Sequence, residues 1–502
     1  MMTKRIGWLA AASVALLAAV AVLIGGHAVH AAPAAALQAL VLNDDATTQW
    51  AMHSTKGRTN SHQRVHYHGH SLVRLTPARA ADLPALHQLL LDLNIDVWSA
   101  LRGQVDVRAA DAHVLKQALD RYLPGVRART LVADVEKQLL EPHWHAIDER
   151  VAVKSVAAQL HDPKSWFAEY HHLDEIYEWY QLLAAAHKDR ITLMRNVGTT
   201  HEGRELMALR FTNHSSTNVT LPKKQVYVQG GIHAREWIAH ATTQYIAYHL
   251  ATSDDQTITS LLDEVEIVLV PIVNPDGYAY SWTGDRLWRK NRRADARGVF
   301  GVDLNRNYPS HWGEAGASKF RFSDTYMGPS PGSEPEVQAL MALFDSLPRV
   351  VAALDLHAFS QAILHPPSWT LTDTVHEPQL KAMGDAMSQI IKSVHGKDYV
   401  SERLVDLYPH SATGTDWWYD QSRPLDNLAG KRGVDAMNMS ARKTVFRPYS
   451  FTIELRPSQE DTWQTGGSGF ILDKREIIPV GEEILPAFLY YARTALDNVL
   501  IE

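Results

Sequence analysis

The sequence predicts an α/β protein: a large mixed, twisted sheet flanked by helices, preceded by a small α/β open sandwich. Three observations carry this expectation. From Lys188 onward, apolar runs of strand length recur: KQVYVQ, VEIVLVPIV, VVAALDL and FTIELR. Between them lie longer segments with apolar residues at helical spacing, among them EWIAHATTQYIAYHLA, SEPEVQALMALFDSL and LKAMGDAMSQIIKSVHG. Such alternation, with strands that are apolar almost throughout, indicates a sheet buried on both faces. At 502 residues, 45% hydrophobic and 21% charged, the chain has material for a large core and for more than one unit.

In chain order, residues 1–31 read as a secretory signal peptide. Lys4 and Arg5 precede an alanine-rich apolar run from Trp8 to Ile24, and Val29-His30-Ala31 offers a small-residue cleavage site. An uncleaved anchor is the alternative, because the run approaches spanning length. Residues 32–65 have no period and read as a flexible lead-in. Residues 66–140 then give β-α-β-α-β. SLVRLTP is a strand. ADLPALHQLLLDLN is a helix with Leu83, Leu86, Leu89, Leu90 and Leu93 on one face and Pro84 in its first turn. QVDVRAA is a second strand, DAHVLKQALDRYLPG a second helix with Val114, Leu115, Leu119 and Leu123 inward, and VRARTLVAD a third strand. Residues 141–165 form a polar connector holding Arg150, Lys154 and Lys164, each a target for a trypsin-like protease. Residues 166–502 form the large α/β domain. It opens on a helix, YHHLDEIYEWYQLLAAAHK, with Leu173, Ile176, Tyr180 and Leu183 on its inner face.

Composition excludes several kinds of chemistry. There is no cysteine, so thiol catalysis, thiolate metal sites and disulfides are all absent. A secreted chain of this size can rest on its core instead. The net charge of -7 gives no electrostatic reason to expect a nucleic-acid partner. Any metal must be held by His, Asp or Glu.

The stretch GGIHAREW sets His233 and Glu236 three positions apart, past a strand and at the opening of a helix, where ligands gather at the carboxyl ends of strands. With 26 histidines in the chain, about one such pair is expected by chance. A second copy, His172 and Glu175, sits at the start of the amphipathic helix above, where an acidic residue suits the helix dipole. A catalytic zinc usually takes three protein ligands. His357, at the end of the apolar run VVAALDL, is a candidate third ligand, with a polar strand cap as the plainer alternative. Glu454 lies between Ile453 and Leu455, where a carboxylate is costly unless paired or used. It reads either as a general base or as a salt-bridge partner of Arg456 or another arginine. RLWRKNRR reads either as a carboxylate-binding segment or as a solvated basic run.

Taken together, GGIHAREW, NPDGY, RLWRKNRR, DLNRNYP, LDLHAFSQ, LYPHSATGTDWWYD and FTIELRP follow the order found in zinc metallocarboxypeptidases of the carboxypeptidase A/B family. The resemblance runs from about Tyr170 to the end, and the unit at 66–140 resembles that family's activation segment. It implies one zinc ion held by His233, Glu236 and His357, with Asp303 behind the His233 ring. It implies Glu454 as general base and then acid, and Arg289 as the group that stabilises the oxyanion. Asn305 and Arg306 would clasp the terminal carboxylate of a peptide or protein substrate, Tyr408 would close over it, and Arg235 would contact residues further up the peptide. Thr415 and Thr452, with Ser368, would line a neutral side-chain pocket for bulky residues. Arg403, at a pocket-wall position, raises an acidic preference as the alternative, unless Asp406 neutralises it. The expected protein is a secreted zymogen that meets an activating protease and has no membrane association after signal cleavage. A catalytically inactive binding protein and an amino-acid deacylase are the competing functions. The retained Glu454 and ligand set oppose the first, and the carboxylate clamp opposes the second. Ala358 and Phe359 stand where the family often has Ser and Tyr, and QEDTWQTGGSG lengthens the stretch after FTIELRP.

Overall fold

The structure, a computed structural model, describes residues 64–148, 155–216, 222–428, 445–460 and 469–501. The expected signal peptide, nearly all of the lead-in, Arg150, Lys154 and most of the lengthened stretch after Ser458 lie outside the described residues. The described residues belong to one compact unit, in which a four-stranded sheet builds a small N-terminal α/β part, called the N-terminal unit below, and an eight-stranded sheet a large one.

The N-terminal unit has four antiparallel strands in the order Asp96–Leu101, Gln104–Ala109, Ser71–Thr76, Arg127–Val132. The expected β-α-β-α-β therefore lacks one strand. Asp96–Leu101 forms a hairpin with Gln104–Ala109, and the two residues between them, Arg102 and Gly103, both have positive φ. That is the geometry of a tight hairpin turn, usually marked by Asn-Gly or Asp-Gly. An arginine in the first place hid it. Helices Leu83–Asp92 and Ala112–Tyr122 pack Leu86, Leu89, Leu90, Leu115 and Leu119 onto Val73, Leu75, Val105 and Val107. Val114, expected inward, is exposed, because the helix is held by Leu115 and Leu119 one step round. Asp111 caps this helix by accepting from the backbone N–H groups of His113 and Val114.

The large unit is built on an eight-stranded mixed sheet in the order Val400–Arg403, Ala362–His365, Tyr449–Ser458, Val350–Ser360, Lys224–Gly230, Val265–Val270, Glu205–Phe211, Ile191–Thr199. The strands Tyr449–Ser458, Val350–Ser360, Lys224–Gly230 and Val265–Val270 run parallel. Every residue of Val350–Ser360 is buried, as expected for a strand covered on both faces. Helices Trp237–Thr252, Glu377–His395 and Ile477–Asp497 contribute Ile238, Leu250, Leu380, Met387, Ile484 and Phe488 to one core. Helix Pro335–Asp345 contributes Val337, Leu340 and Phe344 to a second. Helix Leu173–Ala186 buries all four residues expected on its inner face. The decoy pair resolves there as well: the Glu175 carboxylate accepts from the His172 backbone N–H at 2.8 Å, an N-terminal cap.

Candidate active site

The parallel strands deliver the chemistry at their carboxyl ends. Lys224–Gly230 runs out into Gly231, whose φ of 69° turns the chain. A Cβ there would lie 2.5 Å from Nε2 of His240, so only glycine fits. The turn sets down His233 and Glu236, and helix Trp237–Thr252 begins at the next residue. His357 and Glu454 lie within their strands and not beyond them, directly opposite each other in the parallel ladder.

His233, Glu236 and His357 converge, and all three are buried. Glu236 Oε1 lies 2.8 Å from Nδ1 of His233, and Glu236 Oε2 lies 3.1 Å from Nδ1 of His357. The two Nδ1 atoms face each other at 3.1 Å. Two imidazole nitrogens and a carboxylate pointed at one another fit a cation between them, and N/N/O is a zinc donor set. The outer nitrogens are also held. Nε2 of His233 lies 3.1 Å from Asp303 Oδ1, and Nε2 of His357 lies 3.0 Å from Asp355 Oδ2. A carboxylate behind each ring fixes which nitrogen faces the metal. Asp355 was missed in the sequence. The available signal was its place two residues before His357, which puts both side chains on one face of a strand. Burial works against the charge of Glu236, yet the facing His233 and His357 rings hold its carboxyl below the ordinary range.

Glu454 is half-buried. Burial pushes its carboxyl up to about 8, against the pull of His357 and Arg289. It does not pair with Arg456, which turns instead to Glu483 and Glu476. Arg289 gives Nε and Nη2 to Asp303 Oδ2 at 3.1 and 2.9 Å and holds Nη1 3.8 Å from Glu236. The basic run is not solvated: Arg286 and Lys290 are both buried.

Asn305 and Arg306 lie on a short 3-10 turn that Asp303 caps through the Asn305 N–H. Asn305 Oδ1 accepts from the N–H of Gly414 at 3.0 Å, and Arg306 Nη2 donates to the Tyr408 hydroxyl at 2.9 Å. Thr415 and Thr452 are buried and joined hydroxyl to hydroxyl at 2.7 Å. Ser368, also buried, donates to the His410 carbonyl and to Asp416. Arg403 is fully engaged: Nε and Nη2 bind Asp406 at 2.9 and 2.6 Å, and Nη1 binds Asp373 and the Leu371 carbonyl.

Arg235 is buried and faces the N-terminal unit. Its Nη1 lies 3.2 Å from Asp96 Oδ1, and its guanidinium stacks on Phe470. Other contacts join the two units around the same strand ends. Ser99 and Ser360 meet hydroxyl to hydroxyl at 2.9 Å, and Trp98 packs on Phe470. The His87 ring lies against Tyr408, and Arg74 donates to the Gln459 carbonyl. Asp96 has no periodic or motif signal in the sequence, because its partner is 139 residues away.

Residues 176–487 match the family described as zinc carboxypeptidase. The chain is 34% identical over 438 residues to zinc carboxypeptidase A 1 of Drosophila melanogaster, covering 86% of this chain and 93% of that one. It is 30% identical over 443 residues to carboxypeptidase A1 of Bos taurus, covering 86% and 95%. Among solved structures it is similar to carboxypeptidase A from Helicoverpa armigera, with a TM-score of 0.68 and 26% identity over 86% of this chain and 98% of that one.

Proposed function

The chain belongs to the zinc carboxypeptidase family, and we propose that it is a secreted exopeptidase, made as a zymogen, that releases single neutral, bulky residues from peptide C-termini. It is a metallocarboxypeptidase hydrolase with a zinc cofactor. The observation that carries the catalytic reading is the convergence of His233, Glu236 and His357 at the carboxyl ends of central parallel strands, with Glu454 next to His357 in the ladder.

His233, Glu236 and His357 hold the zinc, which when bound polarises the scissile carbonyl and acidifies water. Glu454 takes the proton from the attacking water and passes it to the leaving amine. Arg289, held by Asp303, keeps N–H groups with which it would stabilise the carbonyl oxygen as charge develops there. Arg306 and Asn305 pair with the free carboxylate of the substrate, which restricts cleavage to the last bond. Tyr408, already hydrogen-bonded to Arg306, closes the pocket. The neutral Thr415–Thr452 pair accepts an uncharged side chain, since a buried Lys or Arg would have no carboxylate partner.

The N-terminal unit supports the zymogen reading. Asp96 occupies Arg235, and His87 and its neighbours lean on Tyr408, so a peptide cannot reach either group while the unit is docked. The deciding experiment measures zinc content and release of free amino acids from peptides, before and after limited trypsin treatment. Zinc-dependent release that rises on cleavage supports the reading, and its absence in the cleaved protein overturns it.

A further inference from the structure

Outside the catalytic cluster, three further metal-binding groups come together on the N-terminal unit: His66, His68 and Glu136. We propose that they form a second zinc site, which fastens the segment 64–70 to the N-terminal unit.

The chain turns after His66, the Tyr67 carbonyl accepting from the His70 N–H at 3.1 Å, and the His66 and His68 rings stack 5.4 Å apart and within 4° of parallel. Tyr67, between them, points the other way and is buried, donating its hydroxyl to Asp285 of the large unit at 2.9 Å. Glu136 presents its carboxylate to the His66 ring. Oε1 lies 2.8 Å from Nδ1 of His66, and Oε2 accepts from the Tyr67 backbone N–H at 2.7 Å. One donor atom from each of the three lies within 4.8 Å of the others.

The Glu136 side chain is 1% exposed, and among the described residues its only ion-pair partner is His66. A buried carboxylate is costly without a cation, and an imidazole supplies charge only when protonated. A divalent ion held by both rings supplies that charge without a proton, with water from the open side completing four ligands. Two imidazoles and a carboxylate form a zinc-class donor set. The cluster of His201, Glu334 and Glu336 differs on this point. Glu334 already accepts from Arg293 at 2.7 Å, from Ser333 and from Asn291, so it has a permanent cation and no need of a metal.

Occupancy would link the segment carrying Tyr67 to the body of the N-terminal unit and so strengthen the Tyr67–Asp285 contact with the large unit. The test is metal stoichiometry of the untagged, full-length chain, dialysed against low-micromolar free Zn2+ and analysed by mass spectrometry. Two zinc ions per chain are expected, falling to one in the His66→Ala/His68→Ala double variant. The His233→Ala/His357→Ala variant should also keep one, which separates this site from the catalytic one. Thermal unfolding in chelator, unchanged between the double variant and the parent, checks that the fold is intact. Glu136→Gln, which keeps the shape, should weaken the second site at least ~10-fold. The proposal is overturned by one zinc in the parent, by two in the His66→Ala/His68→Ala variant, or by none in the His233→Ala/His357→Ala variant.

Discussion

Asp96 of the N-terminal unit and Arg235 of the large unit form a buried ion pair, Nη1 to Oδ1 at 3.2 Å, although the hairpin that carries Asp96 belongs to a separate sheet. Arg108 shares the same carboxylate, Nε to Oδ2 at 3.0 Å. Asp96→Ala would leave two buried guanidinium groups without this partner, a loss of about 3–5 kcal/mol for a buried pair. The docked unit should loosen, and the intact chain should gain at least ~10-fold in peptide turnover. Turnover of uncleaved Asp96→Ala no higher than the parent's would place the block elsewhere.

Glu454→Gln should keep its catalytic zinc and lose at least ~100-fold in turnover. The amide preserves the side chain's shape at its strand position but cannot accept a proton. Metal analysis beside kcat of the trypsin-treated protein decides this. A variant that loses both metal and activity would make Glu454 a ligand instead.

Limited trypsin should cut within 141–165 and raise activity. Lys164 is exposed on a four-residue helix, whereas Trp166 two positions on is buried, so cleavage should stop at that boundary. Mass spectrometry of the product, beside its activity, checks both halves. Equal activity before and after cutting would remove the inhibitory role.

Peptides ending in Phe or Leu should be preferred over those ending in Glu or Lys. The Thr415–Thr452 pair carries no charge, and Arg403 is neutralised by Asp406 and Asp373. Thr415→Asp should raise kcat/KM for Lys-ending peptides at least ~100-fold relative to Phe-ending ones, since the cation then has a buried partner. If Arg403→Ala abolishes cleavage of Glu-ending peptides that the parent favours, the neutral pocket is wrong.

Latency should weaken in acid. His143 accepts from Arg286 Nε at 3.1 Å and packs on Trp237; burial, with Arg286 and Arg64 nearby, holds its imidazole well below the ordinary value of 6.5. Burial lowers His87, beside Tyr408, to about 4. Both are neutral when docked. Above about pH 6.5 they are neutral when undocked too, so docking is fully favourable. As pH falls below that value, the undocked unit takes up protons that the docked one refuses, and docking is progressively lost. The ratio of uncleaved to cleaved activity should therefore rise from neutral pH towards about 5, and His143→Gln should flatten the rise. A ratio independent of pH would show that neither histidine reports on docking.

Legibility of the sequence followed the range of the interactions. His233 and Glu236 could be singled out because a local turn joins them, and helix Leu173–Ala186 because its period is local. The hairpin at Asp96–Leu101 was not legible, because its turn uses Arg102 where a glycine or asparagine is usual. Asp355 was overlooked although the period-two rule places it beside His357, because it reads as one more residue of an apolar run. The Asp96–Arg235 pair could not be read at all, since only the folded chain brings the two together.

The ladder pairing of His357 with Glu454 has an evolutionary consequence. Two opposed residues on neighbouring strands are spaced by the backbone, about 4.8 Å apart, and not by any loop. Loop lengths elsewhere in the chain can then change while the ligand-to-base spacing stays constant. The spacing of the proton carrier from the metal is thus woven into the sheet itself.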